Sequence, residues 1–316
     1  MTKMLGAGDA PTVLHLTEAE VLFEPEAQPQ AVGEVDLDRP LRGCFVTGTD
    51  TEVGKTTVTA GLLHVLAQRG FRVAGYKPVA AGATWQASAS GPGGRWHNDD
   101  VEALHAASNI ALTRSEVCPC LLEEACAPHL AARLEGGRIE PALLIAGAHR
   151  LMPRCDLLVV EGVGGFCVPL VEPEASGDGG TAPDAAAAGL GGFPGAADAD
   201  DAPTPAAGWG TDDLAMALDL PVILVVGLRL GCINHALLTA EAVAARGLRL
   251  VGWIANRIEP TMLHAQLNIE TLTRALQQRH GAALLGVVSY HVPATAARVA
   301  AELNVDAVCD ALGLRD

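Results

Sequence analysis

Five side chains stand where they could hold and move phosphate: Lys55, Thr56, Lys77, Asp100 and Glu161. The first two close the stretch Cys44–Thr57, CFVTGTDTEVGKTT, in which a short apolar run leads to Gly48, then five residues, then Gly54-Lys55-Thr56. Glycines let the backbone turn and approach an anion without a Cβ in the way. Successive backbone N–H groups at a helix N-terminus then form an anion cradle that the helix dipole also favours. A lysine there reaches the β- and γ-phosphates, and a threonine hydroxyl can ligate Mg²⁺. The loop is one residue longer than the G-x₄-G-K-[ST] template, a variant of it. The pattern points to a nucleoside triphosphate with Mg²⁺.

The surrounding elements have to bring the other three side chains to this loop. Val58, Leu62, Val65 and Leu66 share one helical face, and Gly70 stops that helix. Arg72–Tyr76 has strand character and ends at Lys77-Pro78. In open α/β sheets ligands sit at the carboxyl ends of strands, so Lys77 is expected at the same rim as the phosphate loop. Ala83–Asn98, rich in Gly, Ser and Ala, reads as a loop, and Asp99-Asp100 opens a helix over Val101–Ala107. Asp156–Gly165, DLLVVEGVGG, contains a wholly apolar run, as a buried parallel strand should. That run delivers Glu161 to the rim, and Gly162, Val163 and Gly164 follow as a close-approach segment. Further on, Ala142–His149, Asp212–Leu218, residues 235–245 and Thr261–Gln278 read as helices. Pro221–Val226, Leu250–Asn256 and Leu284–Val288 read as strands, and helical residues follow Pro293. Strand and helix alternate, which predicts an α/β fold: a doubly wound, mostly parallel sheet of P-loop NTPase type in a single domain.

Composition bounds the rest. The 316 residues carry a formal net charge of −16. Residues 1–38 hold −7 of it and residues 171–210 another −7, so the folding remainder is nearly neutral and offers no basic surface for nucleic acid. Residues 1–40 read as a flexible acidic leader, with a brief amphipathic helix over Val13–Phe23. Residues 171–210, built of Gly, Ala, Pro, Asp and Ser, read as a disordered low-complexity insertion within the domain 41–316. The longest apolar runs are too short to span a bilayer, so no membrane is expected. No apolar h-region of signal-peptide type precedes the eight cysteines, and a nucleotide site implies a reducing, cytoplasmic compartment, so disulfides are not expected. Cys118, Cys120, Cys126 and His129 lack the spacing of a zinc knuckle or ribbon and read as small packing residues.

Taken together, GTDTEVGKT, AGYKPVAAG, Asn98-Asp99-Asp100, APHLAARLEG, VVEGVGG, PVILVVGLRLGCINHALLTAE and GWIAN follow, in order, the pattern of the dethiobiotin synthetase family. The resemblance covers residue 43 to the C-terminus apart from 171–210. It implies ATP- and Mg²⁺-dependent ring closure of 7,8-diaminononanoate with CO₂ (or bicarbonate as its source) through a carbamate and a carbamic-phosphoric anhydride. It also implies roles by matching position. Lys55, Lys77 and Thr51 are catalytic, and Thr56, Asp100 and Glu161 hold Mg²⁺. Glu52, Val53, Gly54, Thr57, Gly162, Val163, Gly164, Asn256 and Arg257 line the nucleotide, with Asn256 reading adenine. Lys77, Ala81 and Asn234 face the substrate, Asn234 across a homodimer interface.

Two departures stand out. Ala81 occupies a position where the family commonly has serine, which removes one hydroxyl, and Ser289-Tyr290-His291 replaces a Pro-Trp-Leu-like nucleotide segment. Two other classes share part of the pattern: a regulatory or partitioning P-loop ATPase that switches partners, and a nucleotide-binding inactive homologue.

Overall fold

The computed structural model describes residues 37, 39–88, 93–173 and 208–314. The expected helix at Val13–Phe23, nearly all of the leader and most of the 171–210 segment lie outside them.

The chain opens with β1 (Gly43–Gly48) and α1 (Lys55–Gln68), then β2 (Val73–Tyr76) and a short β3 (Val79–Ala80). A hairpin of β4 (Thr84–Ala87) and β5 (Gly94–His97) leads to α2 (Asp99–Ala107), α3 (Arg114–Val117) and β6 (Cys120–Leu121). Proline at the first position starts both α4 (Pro128–Leu134) and α5 (Pro141–Leu151), where its missing N–H and preset φ suit a helix start. After β7 (Leu157–Glu161), β8 (Pro169–Val171) and β9 (Trp209–Gly210) pair antiparallel, so the two edges of the acidic segment meet and belong to the folded body. The remainder alternates: α6 (Thr211–Leu218), β10 (Val222–Gly227), α7 (Cys232–Ala245), β11 (Leu250–Asn256), α8 (Ala265–His280), β12 (Ala283–Val288), α9 (Ala296–Ala300) and α10 (Val305–Ala311).

Six strands form the central sheet in the order β12-β11-β10-β1-β7-β2, and every pairing is parallel. The chain leaves β1 toward β2, returns through β7, and then builds outward on the other side. The order therefore reverses beside β1, which makes that strand end the crevice where a ligand fits. Alternate side chains of β1 enter two separate cores: Phe45 packs with α5, α6 and α8, whereas Cys44 and Val46 pack with α1, α2 and α9. Helices thus cover both faces, the arrangement that continuous apolar strands demand.

Three expectations need correction. The segment 83–98 is not a plain loop, because Trp85 and Trp96 face each other across β4 and β5 with ring centroids 5.4 Å apart, edge to face. Such cross-strand aromatic pairs stabilise a hairpin that its Gly-Ser-Ala composition conceals. The helix expected from Thr261 begins only at Ala265, since His264 sits in the left-handed region at φ 58° and breaks the turn. The C-terminal helical stretch is two short helices, parted where Leu303 bridges back to Gly286.

Candidate functional site: a phosphate loop between charged and neutral strand ends

The loop between β1 and α1 is shaped by two left-handed residues, Glu52 at φ 59° and Gly54 at φ 82°. A Cβ on Gly54 would lie 2.1 Å from Asn256 Nδ2, so only glycine fits there. Gly48 makes room in a different sense: a Cβ would press on the Lys55 stem at 3.0 Å, where that side chain folds back over the loop. The ammonium of Lys55 donates to the Asp50 carbonyl at 2.9 Å and is almost fully buried. Burial, and then the nearby Lys77 charge, lower its pKa to about 8.

Lys77 arrives by another route. Tyr76, the last residue of β2, is buried and donates its hydroxyl to the Leu144 carbonyl at 2.6 Å, and Lys77 N–H donates to Val117 O at 2.8 Å. These ties turn the chain out of the sheet at Pro78 and aim Lys77 inward. Its Nζ lies 2.5 Å from Glu161 Oε1 and 2.9 Å from Asp100 Oδ2, with the side chain only 3% exposed. Burial works against this charge, but Glu161 and then Asp100 outweigh it and raise the pKa above the usual lysine value. Asp100 is held on the first turn of α2, where Asn98 caps the helix by accepting from Asp100 N and Val101 N. Burial pushes its carboxyl up, yet the Lys77 charge and the Thr56 hydroxyl hold it below the ordinary range.

Thr56 completes the cluster. Its hydroxyl lies 2.6 Å from Asp100 Oδ1 and 2.8 Å from Glu161 Oε1. One hydroxyl proton cannot serve both acceptors. In addition, Glu161 Oε2 is buried and lacks any hydrogen-bond partner. Two carboxylates and a hydroxyl, with one carboxylate oxygen lacking a hydrogen-bond partner, are hard oxygen donors of the kind a divalent cation takes. Among the described residues no group of three or more His, Cys, Asp or Glu is placed to hold a metal. A site with two acids and a hydroxyl is the partial set Mg²⁺ uses when phosphate and water supply the other ligands.

The remaining expected residues are distributed as follows. Thr51 is exposed, its N–H held by Asp50 Oδ1 at 2.8 Å, and Glu52 is exposed beside it. Val53 is buried, and its carbonyl accepts from Asn256 Nδ2 at 2.9 Å. Gly162 N–H donates to Val46 O at 3.0 Å, which seats the start of the 162–164 segment against β1. Val163 and Gly164 follow half-buried, and a Cβ on Gly164 would lie 3.8 Å from the Thr51 hydroxyl. Thr57, with Thr56 and Asp100, opens a groove of about 610 Å³ that runs between α1 and α2 to Asn109 and Ala294. Arg257 continues from β11 and is tied through its backbone to Val288. The Ala81 carbonyl accepts from Asn98 Nδ2 at 3.2 Å, which links the substrate-side segment to the cap of α2. Asn234 stands exposed on the first turn of α7 and makes no hydrogen bond to the Lys77 cluster.

A family model described as an AAA domain, AAA_26, matches residues 42–176 and 209–298. The chain belongs to that AAA domain family, which includes dethiobiotin synthetase. Solved structures similar to this AAA domain chain include the septum site-determining protein MinD with Mg-ADP from Pyrococcus horikoshii OT3, at 15% identity over 87% of this chain and 91% of that one, with TM-score 0.38. The MinC:MinD cell division complex of Aquifex aeolicus is 13% identical, covering 87% and 97%, with TM-score 0.43. Cell division protein FtsY of Thermotoga maritima is 14% identical, covering 88% and 70%, with TM-score 0.36.

Two residues of this AAA domain protein that sequence reasoning passed over take part in the site's framework. Asp50 contacts Thr51, Lys55 and Arg229, and Arg229 stands just beyond the end of β10. Arg229 follows the buried apolar strand β10 by two residues, so a cation shortly after such a strand was the signal available for it. No helix among the described residues is long and apolar enough to cross a membrane.

Proposed function

We propose that this protein closes the ureido ring of dethiobiotin from 7,8-diaminononanoate, CO₂ and ATP. The observation that carries the reading is the placement of Lys77: a buried ammonium held between Asp100 and Glu161, the two acids that share the Thr56 hydroxyl. A partner-switching ATPase has no evident use for a second buried lysine at this point.

One amine of the substrate takes up CO₂ as a carbamate. A carbamate oxygen then attacks the γ-phosphorus, ADP leaves, and the mixed anhydride forms. The second amine attacks the carbamate carbon, phosphate departs, and the ring closes. Two anions must meet, so the chain's contribution is fixed positive charge more than covalent help. Lys55 holds the β- and γ-phosphates, and Lys77 stands against the carbamate and the transferring phosphoryl group. Thr51 orients the carbamate. Thr56, Asp100 and Glu161 would hold Mg²⁺, which neutralises phosphate charge when bound. Glu52, Val53, Gly54, Thr57, Gly162, Val163, Gly164 and Arg257 border the nucleotide. Asn256 retains Oδ1 and a second amide proton for the base edge. Ala81 gives the diamine no hydroxyl, an omission of about 1 kcal/mol in substrate binding.

The reading includes a cytoplasmic homodimer. Leu238 lies one turn beyond Asn234 on α7 and is 62% exposed, and Leu230, just ahead of the helix, is 96% exposed. A second copy covering these leucines would carry its Asn234 to the substrate's carboxylate end. The decisive experiment is a coupled ADP-release assay. Turnover should require both diaminononanoate and bicarbonate, whereas ADP release indifferent to the diamine would refute this function in favour of a switch.

A further inference from the structure

The phosphate loop is clamped from outside its own motif. On one flank Asn256 Nδ2 donates to Val53 O at 2.9 Å. On the other, the Arg229 guanidinium pairs with the Asp50 carboxylate. The two clamps are themselves joined, because Leu228 N–H donates to the Asn256 carbonyl at 2.8 Å. Residues 50 and 53 are thus fixed to one rigid frame made of neighbouring strand ends, with left-handed Glu52 between them.

Asp50 is the point where this frame meets the chemistry. Its Oδ1 accepts from Thr51 N–H, its Oδ2 meets Arg229, and its carbonyl accepts from Lys55 Nζ at 2.9 Å. An exposed ion pair usually contributes little. Here, however, the carboxylate orients a peptide whose carbonyl holds the buried ammonium that must meet phosphate. Displacing Asp50 would move that acceptor and release Thr51 N–H together. A guanidinium suits the task, since it is charged at every working pH and its planar fork fixes a carboxylate in one orientation.

We propose that Arg229 is a positioning residue for nucleotide binding, acting through Asp50 to hold Lys55 and the loop backbone in their phosphate-ready arrangement. This rests on the reading of residues 48–56 as a nucleotide site, but not on the identity of the second substrate.

The test measures Mg-ADP affinity by titration calorimetry and thermal midpoint by scanning calorimetry in the full chain. Arg229→Ala should weaken Mg-ADP by about tenfold, the scale of one charge-assisted hydrogen bond. Asp50→Asn should do the same, the double variant should be no worse than either single, and Arg229→Lys should recover part of the loss. Arg246→Ala, which breaks the pair with Asp212 and Asp213 on the far end of α7, serves as the structural control. It should lower the midpoint while affinity stays within about twofold. The proposal is overturned if Arg229→Ala binds Mg-ADP as the parent does, if the two single losses add, or if the control loses affinity equally. Parent enzyme that binds Mg-ADP but releases ADP without need of diamine would remove the dethiobiotin reading and leave Arg229 standing. Normal diamine-dependent turnover with unchanged affinity in Arg229→Ala would do the reverse.

Discussion

On one side of β1, strands β7 and β2 deliver Glu161 and Lys77, charged groups buried against each other and against Asp100 and Thr56. On the other side, β10 and β11 deliver Arg229 and Asn256, which touch Asp50 and the backbone of the phosphate loop. The first side holds concentrated charge, with one carboxylate oxygen lacking a partner and one proton shared between two acceptors. The second side is neutral only in sum: the Arg229–Asp50 ion pair and the Asn256–Val53 hydrogen bond fix shape there. The two lysines differ too: Lys77 lies between two acids and its pKa is raised, while that of Lys55 is lowered to about 8 by burial and then by the Lys77 charge. A phosphoryl-transfer site needs both, charge to meet the transition state and a frame that does not reorganise as it forms.

The contrast can be broken most forcefully at Lys77. Lys77→Ala should reduce diamine-dependent ADP release by about a thousandfold or more while nucleotide still binds. Near-parent turnover in that variant would remove the assigned mechanism. Glu161→Ala should also destabilise the fold by about 3 kcal/mol, because Lys77 stays buried with half its compensation gone, a loss readable in a urea midpoint. On the neutral side, Gly54→Ala should abolish nucleotide binding through strain and collision with Asn256, each of order 1–3 kcal/mol. Asn256→Ala alone should cost about 1–3 kcal/mol of stability by leaving Val53 O unpaired. Combined with Gly54→Ala it should do less harm than the two losses summed, because the collision partner is gone; strict additivity would deny the contact.

Smaller effects are expected farther out. If the proposed homodimer forms through α7, Leu238→Asp should convert it to a monomer in sedimentation and lower turnover with no change in Mg-ADP affinity, and a dimer that survives this change would displace the interface from α7. Glu302 accepts from Ser289 N–H at 2.8 Å and meets His291 at 3.0 Å at the outer edge of the neutral side. Burial raises its pKa, but these partners hold it below the ordinary 4.5. Its contribution to stability is therefore complete above pH 4.5 and declines as pH falls below that value. In Glu302→Gln that acid-side decline should shrink, and an unchanged pH profile would show that this carboxylate does not matter to the 289–291 segment.

Much of this was legible without coordinates. Apolar runs such as Leu157–Val160 and the Leu250–Asn256 strand announce themselves because a strand covered on both faces has to be apolar throughout. Gly48 and Gly54 mark the phosphate loop because only glycine tolerates the turn and the close approach there. Charged residues at the ends of such strands point to one rim, which is how Lys77 and Glu161 could both be assigned to that rim in advance. The hairpin at 84–97 escaped because its stabilising element is one Trp–Trp contact across strands, which periodicity does not register. Arg229 escaped because its partner, Asp50, is 179 residues away.

By itself, the sequence determined the order of strands and helices, the loop that cradles phosphate and the types of side chain placed at strand ends, since these depend on local spacing and backbone freedom. Only the tertiary structure decided which charges meet: that Lys77 is enclosed by Asp100 and Glu161, that Asn256 braces Val53, and that Arg229 steadies Asp50. Those pairings follow from the strand order β11-β10-β1-β7-β2. Strand order is set by how two apolar cores pack on opposite faces of one sheet, a property of the whole chain that no short segment contains.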